Sequence, residues 1–265
     1  MKILLFGKNG QVGWELQRSL APLGEVIALD RQGLDYEGQF ISGDLLDPDA
    51  VAHAVMTVKP DVIVNAAAYT AVDKAETDTA NAHTINALAP ESIARAATNT
   101  GALLVHYSTD YVFDGTPGRP WRETDTPRPL SVYGASKLAG EQGIAASGAR
   151  HLIFRTSWVY AARGSNFAKT MLRLAQERET LSVINDQIGA PTGADLLADV
   201  TAHVLRTPAP SGVYHLAAAG STTWFGYAQH VFAAARARGI NLKLDDAQLK
   251  AISTEEYKTD RKSVV

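Results

Sequence analysis

The 265-residue chain contains no cysteine. That excludes a disulfide framework, a thiol nucleophile and a cysteine-ligated metal, and it agrees with a reducing cytoplasm. No run of five basic residues occurs, and 25 Lys plus Arg stand against 28 Asp plus Glu. A nucleic-acid partner therefore has no electrostatic support. Long apolar runs are missing too. Met1 to Phe6 begins like a signal peptide, but Gly7-Lys8-Asn9-Gly10 breaks the run too early for an apolar h-region. A buried first strand is expected instead. No other stretch suits a membrane span, so a soluble protein is expected. Internal repeats, low-complexity tracts and an evident linker are absent as well.

What is present is an alternation. Short β-branched apolar runs at 2–6, 25–29, 62–65, 103–108 and 152–156 read as strands, with helical patterns at 12–20, 48–59, 79–100 and 133–145 between them. The strand runs are nearly continuously apolar, as when helices cover both faces of a parallel sheet. The expected class is α/β, a Rossmann-type doubly wound sheet built of right-handed βαβ units. Further on, helices are expected at 166–178, 193–205 and 224–238, an extended stretch at 181–185 and a returning strand at 212–216. This organisation divides the chain into a dinucleotide-binding domain, 1–160, and a smaller substrate-binding lobe, 161–265, with some elements returning to the first domain.

Gly7, Gly10 and Gly13 fall between the first strand and the first helix. Glycines there permit a tight turn, close backbone approach to a pyrophosphate, and close helix–strand packing. The helix beginning near Gln11 and Val12 offers free N–H groups and its positive end to phosphates. Asp30 ends the second strand 17 positions beyond Gly13, where an acid can accept from ribose hydroxyls; Arg31 beside it can meet a 2′-phosphate. The pair is compatible with NADH, NADPH or both. Asp44 is placed for the adenine, and the small side chains of Asn65-Ala-Ala-Ala68 let a cofactor pass close by.

Tyr133 and Lys137 are four residues apart and share one helix face. A free tyrosine, with a pKa of about 10, is a poor acid–base group near neutrality. A neighbouring ammonium is expected to lower it, and the same lysine can hold a nicotinamide ribose. Thr109 closes its strand at the end where open parallel sheets bind ligands, and can hydrogen-bond a substrate oxygen or the phenol. Together these residues point to reduction of a ketone, with hydride from a nicotinamide and a proton from Tyr133.

These motifs resemble the extended short-chain dehydrogenase/reductases and, more closely, the dTDP-4-dehydrorhamnose reductases. The likeness runs through Leu5-Phe-Gly-Lys-Asn-Gly-Gln-Val-Gly-Trp14, Asn65 to Glu76, and Ser108-Thr-Asp-Tyr-Val-Phe-Asp-Gly115. It continues through Val132 to Glu141, Arg155-Thr-Ser-Trp-Val-Tyr160 and Asp186-Gln-Ile-Gly-Ala-Pro-Thr192, covering residue 1 to about 240. The resemblance implies a dTDP-sugar substrate, with Tyr133 as proton donor, Lys137 as its partner and Thr109 as a tuner of the tyrosine. Thr109, Asp110, Val72, Trp158 and Gln187 would face the substrate. Cofactor contacts would fall on Gly10, Gln11, Val12, Asp30, Asp44, Leu45, Ala67, Ala68 and Tyr69. A homodimer, and magnesium held at the dimer contact by Glu15 and Asp195, would follow from the same likeness.

A sugar-nucleotide dehydratase would carry a second acid after the strand-end threonine, where this chain has Asp110-Tyr111. A nucleotide-sugar epimerase resembles the chain less. A non-catalytic regulatory subunit of the methionine adenosyltransferase type retains a similar Tyr/Lys pair but lacks the block at Arg155–Val159. After Thr259 the sequence reads Asp260-Arg-Lys-Ser-Val-Val265, where the reductases continue with an Arg-Pro segment and a terminal helix. Substrate affinity is expected to feel that departure more than cofactor binding.

Overall fold

The computed structural model describes residues 1–116, 118–207 and 209–257. Six strands form one sheet: β1 (Lys2–Phe6), β2 (Glu25–Leu29), β3 (Val62–Asn65), β4 (Leu103–Thr109), β5 (His151–Thr156) and β6 (Gly212–His215). Their spatial order is β6-β5-β4-β3-β1-β2, and every pairing is parallel. The helices that matter to the site are α1 (Gln11–Leu20), α2 (Pro48–Val58), α3 (Ala89–Thr100) and α4 (Val132–Ala146). Three more follow: α5 (Phe167–Glu177), α6 (Ala194–Val204) and α7 (Trp224–Ala237).

Both sheet faces are covered, which explains the unbroken apolar runs. Leu4, Phe6, Ile63, Leu104 and Ile153 point to the side held by α2, α3 and α4, against Val51, Val55, Ile93 and Ile144. Their neighbours Ile3, Leu5, Val64, Val105 and Phe154 point the other way, against Leu16 and Leu20 of α1 and Leu197 of α6. Burying each such side chain is worth about 1.5–3 kcal/mol. The α/β class expected from the sequence is the fold found.

Caps set the helix starts. Asp47 accepts from the Ala50 N–H with Pro48 at the first helical position, and Ser131 accepts from the Gly134 N–H at the start of α4. The stretch read as one helix over 79–100 has a more exact anatomy. Thr79–His83 is α-helical, Thr84–Leu88 forms a π-helical turn, and α3 follows directly. Pro90 has no N–H to give the carbonyl four residues back, which belongs to Asn86, and the helix widens there.

The later part of the chain goes two ways. β6 extends the main sheet beside β5, and α6 packs on α1. By contrast, α5 and α7 enclose a separate core around Phe232, Val183, Leu181 and Leu244, where strands Leu181–Ile184 and Leu249–Ile252 pair in parallel. The hairpin Leu34–Tyr36/Gln39–Ile41, the helix Val72–Ala75 and the strand Leu249–Ile252 were not anticipated. Each is too short for its periodicity to register. Among the described residues no helix is long and apolar enough to cross a membrane. The departure after Thr259 lies outside the described residues.

Candidate active site

The sheet order reverses between β1 and β3, so the crevice beyond their carboxyl ends is the natural ligand position. Gly7 sits there with φ +88°, its N–H and that of Lys8 both donating to the Leu29 carbonyl at 3.0 and 3.1 Å. A Cβ on Gly7 would stand 2.7 Å from the Ala67 amide nitrogen, and one on Gly13 would overlap the Gly7 carbonyl. Glycine is therefore required at both positions by close backbone approach. Gly10, the N-cap of α1, brings no side-chain cap, which leaves first-turn N–H groups open toward the crevice.

A cleft of about 860 Å³ occupies this pole. Gly7, Gly10, Gln11, Val12, Asp30, Arg31, Asp44, Leu45, Ala67, Ala68 and Tyr69 all line it, and so do Tyr133 and Lys137. Gly13 lies beneath, at the α1–β1 contact. Asp30 accepts from Asn9 Nδ2 at 2.7 Å and pairs with Lys8 at 3.3 Å. Burial pushes its carboxyl up, but the Gln32 N–H, Lys8 and Asn9 outweigh that and hold it below the ordinary range. The Arg31 side chain is exposed and makes no hydrogen bond or ion pair with the described residues.

At the other end of the cleft, the Ser131 cap starts α4 so that Tyr133 and Lys137 face inward, 9% and 2% exposed. Lys137 Nζ donates to the Tyr107 carbonyl at 2.7 Å and lies 3.0 Å from His106 Nε2, both on β4. Burial pushes Lys137 down to about 8, against the opposing pull of Glu141. Burial also pushes the Tyr133 phenol well up, opposed by a hydrogen bond with the Thr109 side chain and reinforced by Asp110 and Tyr111. The expected lowering of the phenol by the ammonium is thus corrected. The lysine is engaged by β4, desolvation dominates, and Tyr133 is held protonated. Tyr111 meets its ring edge-on at 5.5 Å, and Val72 and Tyr69 pack into the same cluster.

Asp110 follows β4 directly. Its Oδ1 accepts from the Thr109 hydroxyl at 3.1 Å, its Oδ2 is buried without a partner, and burial pushes the carboxyl up to about 7. Trp158 has φ +47° and stacks on Trp224 with centroids 3.5 Å apart; its Nε1 is buried and unpartnered. Gln187, expected to face the substrate, is hydrogen-bonded at each end of its amide. It accepts from Trp224 Nε1 and donates to Thr254 Oγ1, each at 3.1 Å.

The buried side-chain polar atoms without partners among the described residues share one location. They are Asp110 Oδ2, Arg155 Nη1, Thr156 Oγ1, Trp158 Nε1 and His215 Nε2. All five lie at or just past the carboxyl ends of β4, β5 and β6, where Ser108 pairs with Arg155 and Arg155 with His215. An unsatisfied buried polar group costs about 1–3 kcal/mol. Of these five residues Thr156 lines the cleft that holds Tyr133, and all five atoms are closed off from solvent.

The resemblance implied magnesium between two copies of the chain, at Glu15 and Asp195. Glu15 on α1 pairs with Arg18 at 3.5 Å, and Asp195 in the first turn of α6 accepts from the Leu196 N–H. Among the described residues of this single chain no group of three His, Cys, Asp or Glu gathers.

Other residues of the site were not anticipated. Gly164 and Ser165 line the cleft because residues 161–166 fold back over the glycine loop. Asn166 Nδ2 donates to Gln11 Oε1 at 3.0 Å, and the Arg163 guanidinium lies 3.9 Å from the Trp14 ring centre. No local pattern announces that fold-back. Asn86 binds the Tyr69 backbone through both ends of its amide and also donates to Ser136 Oγ on α4. Its one sequence signal is the proline four residues on.

Comparison with known proteins agrees with this geometry. Residues 1–263 match the family model described as RmlD substrate binding domain. A dTDP-4-dehydrorhamnose reductase of Shigella flexneri is 59% identical over 263 residues, covering 98% of this chain and 86% of the relative. The chain belongs to the dTDP-4-dehydrorhamnose reductase family. It is an oxidoreductase of that family. The crystal structure of the Bacillus anthracis family member, in complex with NADP, superposes with a TM-score of 0.86 at 37% identity, covering 97% of this chain and 86% of that one. A Clostridium acetobutylicum reductase gives the same TM-score at 38% identity, with 97% and 85% covered.

Proposed function

We propose that this chain reduces the C4 ketone of dTDP-4-dehydro-L-rhamnose to give dTDP-L-rhamnose, using NADPH or NADH, with Tyr133 as proton donor. The observation that carries the reading is the placement of Tyr133, Lys137 and a glycine loop on the walls of one cleft. The cradle suits a dinucleotide: glycines where a Cβ would collide, open N–H groups at the start of α1, and an acid and a free cation at the ribose end. When bound, the reduced nicotinamide supplies the hydride.

The protein's own residues do the rest. Thr109 and Tyr133 face the position of the ketone oxygen, and the phenol, held protonated by burial, gives its proton as negative charge develops there. Lys137, anchored on β4, then stands next to the resulting phenolate and offers it a proton or a compensating charge. Val72 and Tyr111 flank the phenol and exclude water. Thr156, on the cleft wall, and Asp110 and Trp158, at the neighbouring strand ends, hold unpaired polar atoms for the sugar nucleotide.

The test mixes purified protein with dTDP-4-dehydro-L-rhamnose and NADPH or NADH and follows absorbance of the reduced cofactor. Turnover in the wild type, with kcat reduced by about 10²–10⁴ in Tyr133→Phe and cofactor affinity retained, supports the reading. Wild-type turnover undiminished in Tyr133→Phe would overturn the assignment of the proton donor. Cofactor binding without wild-type turnover would overturn the substrate.

A further inference from the structure

Lys137 is the last member of a row of hydrogen-bonding groups that begins at the Ala67 N–H on the cleft wall. Asn65 Oδ1 accepts the Ala67 N–H at 3.1 Å, which fixes the orientation of the Asn65 amide. Its Nδ2 is thereby turned to His106 Nδ1, 3.2 Å away. His106 Nε2, on the far side of the ring, lies 3.0 Å from Lys137 Nζ. Asn65 and His106 are 1% and 0% exposed, so no solvent relieves a mismatch.

Donor–acceptor complementarity passes along this row. Asn65 presents an NH₂ group, so Nδ1 must be the acceptor. A neutral imidazole with Nδ1 unprotonated carries its hydrogen on Nε2. That N–H points at Lys137, and an ammonium has three donors and no acceptor. Two donors then face each other at hydrogen-bond distance unless Lys137 is the uncharged amine, whose lone pair accepts.

We propose that His106 is a positioning residue that, with Asn65, disfavours the charged form of Lys137 and couples its proton to the orientation of the Asn65 amide behind the cleft wall at Ala67. The proposal deepens the role given to Lys137 above and rests on that reading. For Lys137 to carry its charge without conflict, the row must invert. Asn65 turns its oxygen to a protonated Nδ1, Nε2 accepts from the ammonium, and the Ala67 N–H loses its acceptor. Ala67 lines the cleft, so a ligand oxygen placed there takes up the freed N–H. Cofactor binding and charging of the lysine thereby favour each other.

The electrostatics run the same way. Burial, and then Lys137, hold His106 well below the usual imidazole range, so the ring is neutral. The other titratable groups around Lys137 are Tyr133 and Glu141 on its own helix, and Glu141 is already paired with Arg155 of β5. On β4, only His106 and the Tyr107 carbonyl meet Nζ.

The proposal is tested on the cofactor-free protein by following the ¹³Cε resonance of Lys137 against pH, assigned by its loss in Lys137→Met. In His106→Gln a side-chain carbonyl can face Nζ and accept from the ammonium. In Asn65→Asp both carboxylate oxygens accept, one from Ala67 and one from Nδ1–H, leaving Nε2 an acceptor. Both variants are expected to raise the Lys137 midpoint by about one unit or more, a tenfold gain in proton affinity. An unchanged or lowered midpoint in a His106→Gln protein with wild-type circular dichroism would overturn the proposal. If His106→Gln does not fold, an unchanged midpoint in Asn65→Asp overturns it equally. The readout needs no turnover, so failure here is distinct from failure of the proposed reaction, which Tyr133→Phe tests. A purely structural role for His106 predicts lost stability with no movement of the lysine.

Discussion

The indole of Trp158 lies flat on that of Trp224, with ring centroids 3.5 Å apart and planes within 12°. Trp158 holds a left-handed backbone conformation that costs a side-chain-bearing residue about 1–3 kcal/mol. The stack, fixed from behind by the hydrogen bond from Trp224 to Gln187, offsets part of that cost. Aromatic pairs contribute about 0.5–1.5 kcal/mol beyond area burial, so Trp224→Leu should raise KM for the sugar nucleotide up to about tenfold. Cofactor affinity should stay unchanged. Steady-state kinetics with each substrate varied in turn separates the two effects, and equal loss in both would remove Trp158 from the substrate side.

The pH profile should be asymmetric. Tyr133 is held protonated by burial, so it does not limit activity at neutral pH. Lys137, pushed down to about 8, is charged below that value and neutral above it. Activity should therefore hold through neutrality and fall above a pH of about 8. Measuring kcat/KM across that range checks it; a profile flat well past this point would show that the lysine charge is not needed.

Asp110 makes a stability prediction of definite sign. Its folded pKa, about 7, is raised above the ordinary 3.8, so the group favours folding in its protonated form. That contribution is full below the ordinary value and is lost as pH rises toward 7. Asp110→Asn should accordingly gain Tm relative to the wild type as pH rises from 4 to 7, with no further gain above. Thermal unfolding of both proteins in parallel buffers would show a pH-independent difference if the carboxyl were ionised throughout.

Glu141 and Arg155 form a buried two-pronged ion pair, 2.9 and 2.6 Å, with Ser108 Oγ donating to the same carboxylate. Removing one partner strands a charge in the core: Glu141→Ala should cost about 3–5 kcal/mol in urea unfolding. The double replacement Glu141→Leu with Arg155→Met should cost much less than Glu141→Ala, since an apolar pair of similar volume carries no desolvation penalty. A double variant as unstable as the single would mean that the pair contributes more than it costs.

Arg31 should decide how well the 2′-phosphate is accepted. Its side chain has no partner among the described residues, while Asp30 is already engaged by Asn9 and Lys8. A hydrogen bond to a charged group is worth about 1.5–3 kcal/mol, so Arg31→Ala should weaken NADPH binding roughly ten- to hundredfold and leave NADH nearly unaffected. Fluorescence titration with each cofactor measures this, and parallel losses would count against a phosphate contact.

How much of the molecule the sequence determined depends on the range of the interactions involved. Continuous apolar runs with turn and cap residues between them are local signals, and β1 to β6 and every one of the seven helices but α3, expected to start ten residues earlier, lie within a residue or two of their expected positions. The glycine loop and the Tyr133/Lys137 pair were legible for the same reason, since spacing along one element fixes which residues share a face. Folding alone decided what meets across elements. Lys137 turns to His106 because β4 passes beneath α4, Gln187 bridges Trp224 and Thr254, and residues 161–166 close over Gln11. The five unpartnered polar atoms come together only because β4, β5 and β6 end side by side, through pairings between residues up to about 60 positions apart. Local chemistry thus named the groups proposed to react, and the parallel sheet, by stacking distant strand ends at one pole, set their environment.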